Sequence, residues 1–170
     1  VEATKNIKAA AEKAGVEYLR LLRPASPLPE NCLVFESAKQ AAEALAAEEG
    51  NLLLATGAKE LAQFAAISPE RLYPRVLPTL ESIAACEAAN IPHRNIIAMQ
   101  GPFSFALNQA MMEQFHIRWL VTKDGGAAGG FDEKASAASA AGAQLVVIRR
   151  PPEQGETASE VLKRCKEMIR

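Results

Sequence analysis

The chain has 170 residues, 49% of them apolar and 23% charged, which is enough to bury a core in one compact domain and too apolar for disorder. Its formal net charge of −1 and pI near 6.2 leave no global basic field to attract nucleic acid or an anionic membrane surface, and no apolar run is long enough to span a bilayer. Cys32, Cys86 and Cys165 are odd in number and form no CxxC pair, and His93 and His116 are the only histidines, so neither a disulfide framework nor a zinc site is expected and a reducing cytoplasm suits the chain.

The opening stretch VEATKNIKAAAEKAG reads as a helix with no capping residue before it and no initiator Met, as if cut from a longer chain. YLRLLRP follows as a short strand, and residues 1–23 are expected to continue a missing N-terminal domain, with 24–170 forming a second one. CLVFES reads as a strand, AKQAAEALAAEEG as a helix with a Gly stop, and NLLLATG as a buried strand. AKELAQFAAI is read as helix. RLYPRVL is read as a strand at a sheet edge, because Pro74 lacks the N–H an interior strand needs. Then come helix TLESIAACEAANIP, strand NIIAMQG, helix FALNQAMMEQF, strand WLVTKD, helix DEKASAASAAG, strand LVVIRRP and helix TASEVLKRCKEMIR. Strict alternation requires right-handed crossovers, so the predicted fold is an α/β three-layer, Rossmann-like sandwich with a mainly parallel sheet of about five strands.

In such folds ligands lie beyond the carboxyl ends of the strands. The residues that follow the strands are Thr56 and Gly57, Arg75 within its run, Gln100 with Gly101 and Pro102, Lys123 with Asp124, Gly125 and Gly126, and Arg149 with Arg150. Helix N-termini, bare glycine amides and cations on one rim suit a carboxylate or phosphate. Each piece also has a plainer reading: glycines after strands serve tight turns, arginines at strand ends are solvated, and Lys134 is either a solvated lysine or a second arm of the site. The loop KDGGAAGG is harder to explain by turns alone. It has neither the GxGxxG nor the GK[ST] register, so the dinucleotide and Walker fingerprints are absent. Phe103 and Phe105 read as packing residues at a helix start.

The stretches LLLATGAKELAQFA, IIAMQGPFSFALNQAMM and WLVTKDGGAAGGFDEKASAASAAGAQLVVIRRP resemble the C-terminal half of the precorrin-6A reductase family of cobalamin biosynthesis. The resemblance runs from the opening helix to Arg150 and is most specific at GPF, at LVTKD with its glycines and Lys134, and at VVIRRP. Family members usually carry a Ser and two Gly after the Lys-Asp pair, where this chain has Gly125, Gly126 and Ala127. The family's N-terminal half, with a glycine-rich nucleotide-binding turn, has no counterpart in these residues.

The resemblance implies hydride transfer from NADPH or NADH to a double bond of a tetrapyrrole, precorrin-6A or its cobalt form, with the site between two Rossmann-like halves. It implies that Thr56, Gln100, Gly101, Lys123, Gly125 and Gly126 line the site and that Arg75 and Arg149 meet substrate carboxylates. Lys123 is the one nominee for the proton donor, with Asp124 placed to hold it. The expected partners are the tetrapyrrole and the missing N-terminal half. Two other classes remain open: a uroporphyrinogen-III synthase-like enzyme, also of two α/β domains but needing no cofactor, and a non-catalytic α/β domain that binds a small anion on the same rim.

Overall fold

A computed structural model describes residues 2–22, 27–124, 130–149 and 155–168. The chain divides into two compact units, Val1–Pro24 with Pro152–Arg170, and Ala25–Pro151.

The larger unit is a six-stranded sheet, every pairing parallel. Its strands are β1 (Leu33–Phe35), β2 (Asn51–Ala55), β3 (Leu72–Val76), β4 (Ile97–Ala98), β5 (Ile117–Lys123) and β6 (Gln144–Ile148), in the order β1-β6-β5-β2-β3-β4. The expected count was about five. Side chains alternate faces along a strand, so consecutive leucines of β2 serve two cores. Leu52 and Leu54 join Trp119, Val121, Val146 and Ile148 against Leu45 and Phe64 on one face. Leu53 joins Leu120, Leu145 and Val147 against Met111, Met112 and Phe131 on the other. Burial on both faces is what makes the strands read as unbroken apolar runs.

In this unit α2 (Ala38–Ala46), α3 (Leu80–Ala88), α4 (Phe105–Gln114) and α5 (Phe131–Ala140) are the connecting helices. Ser37, Thr79 and Ser104 cap the first three, each side-chain oxygen accepting from an N–H three residues on. AKELAQFAAI differs from expectation: Ala58–Phe64 is a 3₁₀ helix, entered from Gly57 at φ 84° with no side-chain cap.

RLYPRVL also differs, since β3 lies between β2 and β4 and is not an edge. Pro74 is tolerated because β4 is so short. Met99 N donates to Val76 O at 3.0 Å, so Val76, and by alternation Pro74, turns its backbone polar groups toward β4. β4 starts opposite Arg75, beyond the point where the missing N–H would be needed.

The smaller unit holds α1 (Glu2–Ala14) and, after α2–α5 of the larger unit, α6 (Ala158–Met168). The expected strand YLRLLRP is reduced, within 18–22, to one parallel bridge between Leu21 and Glu156, with Leu22 N donating to Glu156 O at 2.9 Å and Glu156 N to Arg20 O at 2.8 Å. Thr157 and Glu160 form a reciprocal capping box at the start of α6, and the hydrogen bonds from Thr157 hold the Glu160 carboxyl below its usual range. Arg164 ties this unit together through Glu17 and Glu156.

Candidate functional site

From the central β2 the chain first adds β3 and β4 on one side and then recrosses to add β5 on the other. That reversal separates the loops after β2 and β5 and opens a crevice at the carboxyl ends of the strands. The crevice is a cavity of about 1010 Å³. β2 and its turn supply Thr56 and Gly57, β3 supplies Arg75, the segment after β4 supplies Met99, Gly101, Pro102 and Phe103, β5 supplies Lys123, and α5 supplies Lys134.

The rim expectation therefore gathers Thr56, Gly57, Arg75, Gly101, Pro102, Lys123 and Lys134 around one cavity. Gln100 is exposed and not part of its wall. Asp124 extends the β5–β6 ladder, its N–H donating to Ile148 O at 3.2 Å, and does not line the cavity. Arg149 stands at the end of β6, more than half exposed, with Nη1 2.9 Å from Glu36 Oε1. Gly125, Gly126 and Arg150 lie outside the described residues.

Arg75 is the least ordinary of these groups. It is 8% exposed, and Nη1 donates to Asn108 Oδ1 at 2.7 Å. The guanidinium carbon lies 4.0 Å from the centroid of the Phe103 ring. Among the described residues no carboxylate pairs with it, and burial lowers its pKa to about 10, which leaves it charged at neutral pH. Lys134 is lowered too, by burial first and then by the charge of Arg75, with Glu133 opposing. Two cations thus share one partly desolvated field.

On the opposite wall, Lys123 Nζ lies 2.5 Å from Glu60 Oε1. Glu60 Oε2 and Thr56 Oγ1 are buried without a hydrogen-bond partner among the described residues, which leaves the hydroxyl of a cavity-lining residue with unused capacity.

Three contributors escaped the sequence reading. Asn108 orients Arg75, Glu60 pairs with Lys123, and Phe103 covers the guanidinium as well as packing against the core. Asn108 had a signal, being the polar residue on the helix face that also carries Met111 and Met112. Glu60 had none.

A parallel sheet with a cationic crevice at its topological reversal defines a ligand-binding α/β domain of the Rossmann-like class. The chain belongs to the precorrin-6x reductase CbiJ/CobK family, whose profile matches residues 1–166. It is 34% identical over 133 residues to a cobalt-precorrin-6A reductase of Priestia megaterium, covering 75% of this chain and 52% of that protein. To the cobalt-precorrin-6A reductase of Salmonella typhimurium it is 35% identical over 130 residues, covering 74% and 49%. The chain spans about half the length of these curated relatives. A solved CobK precorrin-6A reductase superposes with a TM-score of 0.71 over 97% of this chain and 68% of that one, and at 20% identity that likeness speaks for the fold alone. No described helix is long and apolar enough to cross a membrane.

Proposed function

We propose that this chain is the part of a precorrin-6A or cobalt-precorrin-6A reductase that receives the tetrapyrrole, the whole protein moving a hydride from NADPH or NADH to one double bond of the macrocycle. The observation that carries this is Arg75: a buried guanidinium with no carboxylate partner among the described residues, on the wall of a cavity large enough for a bulky ligand. A macrocycle bearing acetate and propionate groups brings the missing carboxylates. Leu77 and Met99, both largely exposed and both on the cavity wall, offer apolar contact to its ring system.

The described residues fit this ligand better than they fit the dinucleotide. The turn after β2 has one glycine, Gly57, where a diphosphate cradle needs several, so the reductant's phosphates are left to other parts of the protein. The cofactor supplies the hydride. These residues hold and orient the macrocycle: Arg75 and Lys134 from one side, Lys123 and the Thr56 hydroxyl from the other, with Gly125, Gly126 and Arg149 as further candidates. Lys123, held by Glu60, is the proposed carrier of the accompanying proton.

The test is oxidation of reduced nicotinamide by the polypeptide that carries this chain, with and without cobalt-precorrin-6A or its metal-free form. Oxidation that requires the macrocycle is expected. Consumption independent of the macrocycle, or macrocycle turnover without the nicotinamide, overturns the reading.

A further inference from the structure

We propose that Arg75, presented by Asn108 and the Phe103 ring, is the seat of one oxyanion group of the ligand, and that Asn108 is the positioning residue that keeps this seat open. The proposal rests on the cavity being the ligand site. Its own basis is the arrangement around one guanidinium.

Asn108 is 1% exposed and its amide has one workable orientation. Nδ2 donates to Ser104 O at 2.8 Å, which also accepts from the Asn108 backbone N–H at 3.0 Å, and to Phe103 O at 3.2 Å. Oδ1 is therefore left to accept from Arg75 Nη1 at 2.7 Å. A flipped amide sets a donor against a cation and an oxygen against two carbonyls. The side chain is thus fixed at both ends, and it fixes the arginine.

Its neutrality is the informative point. A buried guanidinium is costly without a partner, and folds ordinarily supply Asp or Glu. Here the partner is an uncharged acceptor, which satisfies one of five N–H donors and cancels none of the charge. An aspartate at 108 would close the seat from within. The Phe103 ring stacks on the guanidinium at 4.0 Å and shields it from water without neutralising it. Lys134 adds a second positive charge close enough for its pKa to be lowered by the charge of Arg75. Such a group suits a planar carboxylate gripped in two-pronged fashion, and phosphate oxygens share the same chemistry.

The experiment follows the arginine Nε–Hε signals of the 170-residue chain by NMR during titration with tricarballylate, a tricarboxylate, and separately with inorganic phosphate, at matched ionic strength in chloride. The Arg75 signal is expected to shift saturably. Tighter response to tricarballylate names the macrocycle's carboxylates as the source of the anion, and tighter response to phosphate names the cofactor's. Arg75→Met should abolish the site, and Asn108→Asp should weaken the preferred anion at least tenfold while the chain stays folded. If Arg75 does not move while the Gly57 amide and Lys123 do, the seat is refuted and the cavity survives as a binding site. If no cavity residue responds to either anion, both readings fall. Unchanged affinity in folded Asn108→Asp refutes the positioning role, and the wild-type titration decides the seat even if that variant does not fold.

Discussion

Arg75→Met separates a cation kept for a ligand from one kept for the fold, because the two make opposite demands on stability. Burial lowers the Arg75 pKa from its ordinary value to about 10. At about 1.36 kcal/mol per pH unit, holding the charge inside the fold costs on the order of 3 kcal/mol. The sign follows from the direction. Below about pH 10 the arginine is protonated in both folded and unfolded chains, so the full penalty is present at neutral pH, and it is relieved only as pH rises above about 10. Methionine removes the penalty. It also leaves Asn108 Oδ1 without its donor, at about 1–3 kcal/mol, and loses a guanidinium–ring contact of about 0.5–2 kcal/mol, part of which the thioether recovers against Phe103.

These terms nearly cancel, so the variant should lie within about 2 kcal/mol of wild type. Truncating an ordinary side chain as buried as this one typically costs about 2–5 kcal/mol. Urea unfolding of both chains at neutral pH, with coincident probes and an unchanged m value, measures the difference. A loss of about 3 kcal/mol or more at constant m refutes the reasoning, for it makes Arg75 a structural tie whose charge the fold needs.

Two further outcomes test the same frame. Lys134 is depressed by burial and then by Arg75, so after reductive ¹³C-methylation its titration midpoint should lie below the ordinary lysine value, and it should rise in Arg75→Met; an unchanged midpoint breaks the electrostatic link between the two. Because the folded value lies below the unfolded one, the Lys134 charge costs stability at neutral pH, a cost that fades as pH rises through the depressed value towards 10.5. Gly50, before the amino end of β2 and so away from the cavity, has φ +96°, and a Cβ there would meet Arg118 Cβ at 2.6 Å. Gly50→Ala should cost more than about 1 kcal/mol in urea unfolding and leave tricarballylate affinity unaltered, whereas a neutral effect on stability contradicts the turn geometry.

How much of this was legible in the chain depends on the range of the interaction concerned. Leu52–Leu54 and Leu145–Ile148 announce themselves because a strand buried on both faces needs apolar residues at every position, a demand written in consecutive letters. Thr56, Gly57 and Lys123 are legible for a similar reason: alternation of strands and helices fixes which strand ends share a rim, and each residue is placed by its own neighbours in sequence. Pro74 misleads because the rule against proline in interior strands assumes a neighbour at that level of the ladder. Whether β4 reaches that level depends on where it begins, more than twenty positions later. Ala58–Phe64 has helical spacing, yet it leaves Gly57 without a capping side chain, and spacing alone does not distinguish a 3₁₀ turn from an α-helix.

The seat around Arg75 lies beyond such reading because its parts come from different stretches of chain. Arg75 and Asn108 stand 33 positions apart, and neither residue type signals the other. What the sequence does show is a pair of exceptions, an arginine within an apolar strand and an asparagine on the apolar side of a helix, each unfavourable on its own. Folding brings the two exceptions into contact, and each answers part of the other's need for hydrogen bonds. Among the described residues no carboxylate takes up the charge. Two residues chosen for stability alone would have been replaced by apolar ones, or by an Arg–Asp pair that cancels itself. An uncancelled cation on the wall of a cavity is the arrangement expected where the counter-ion arrives with the ligand, and for that reason the neutral partner Asn108, more than any of the cations, is the ground for proposing this crevice as a site.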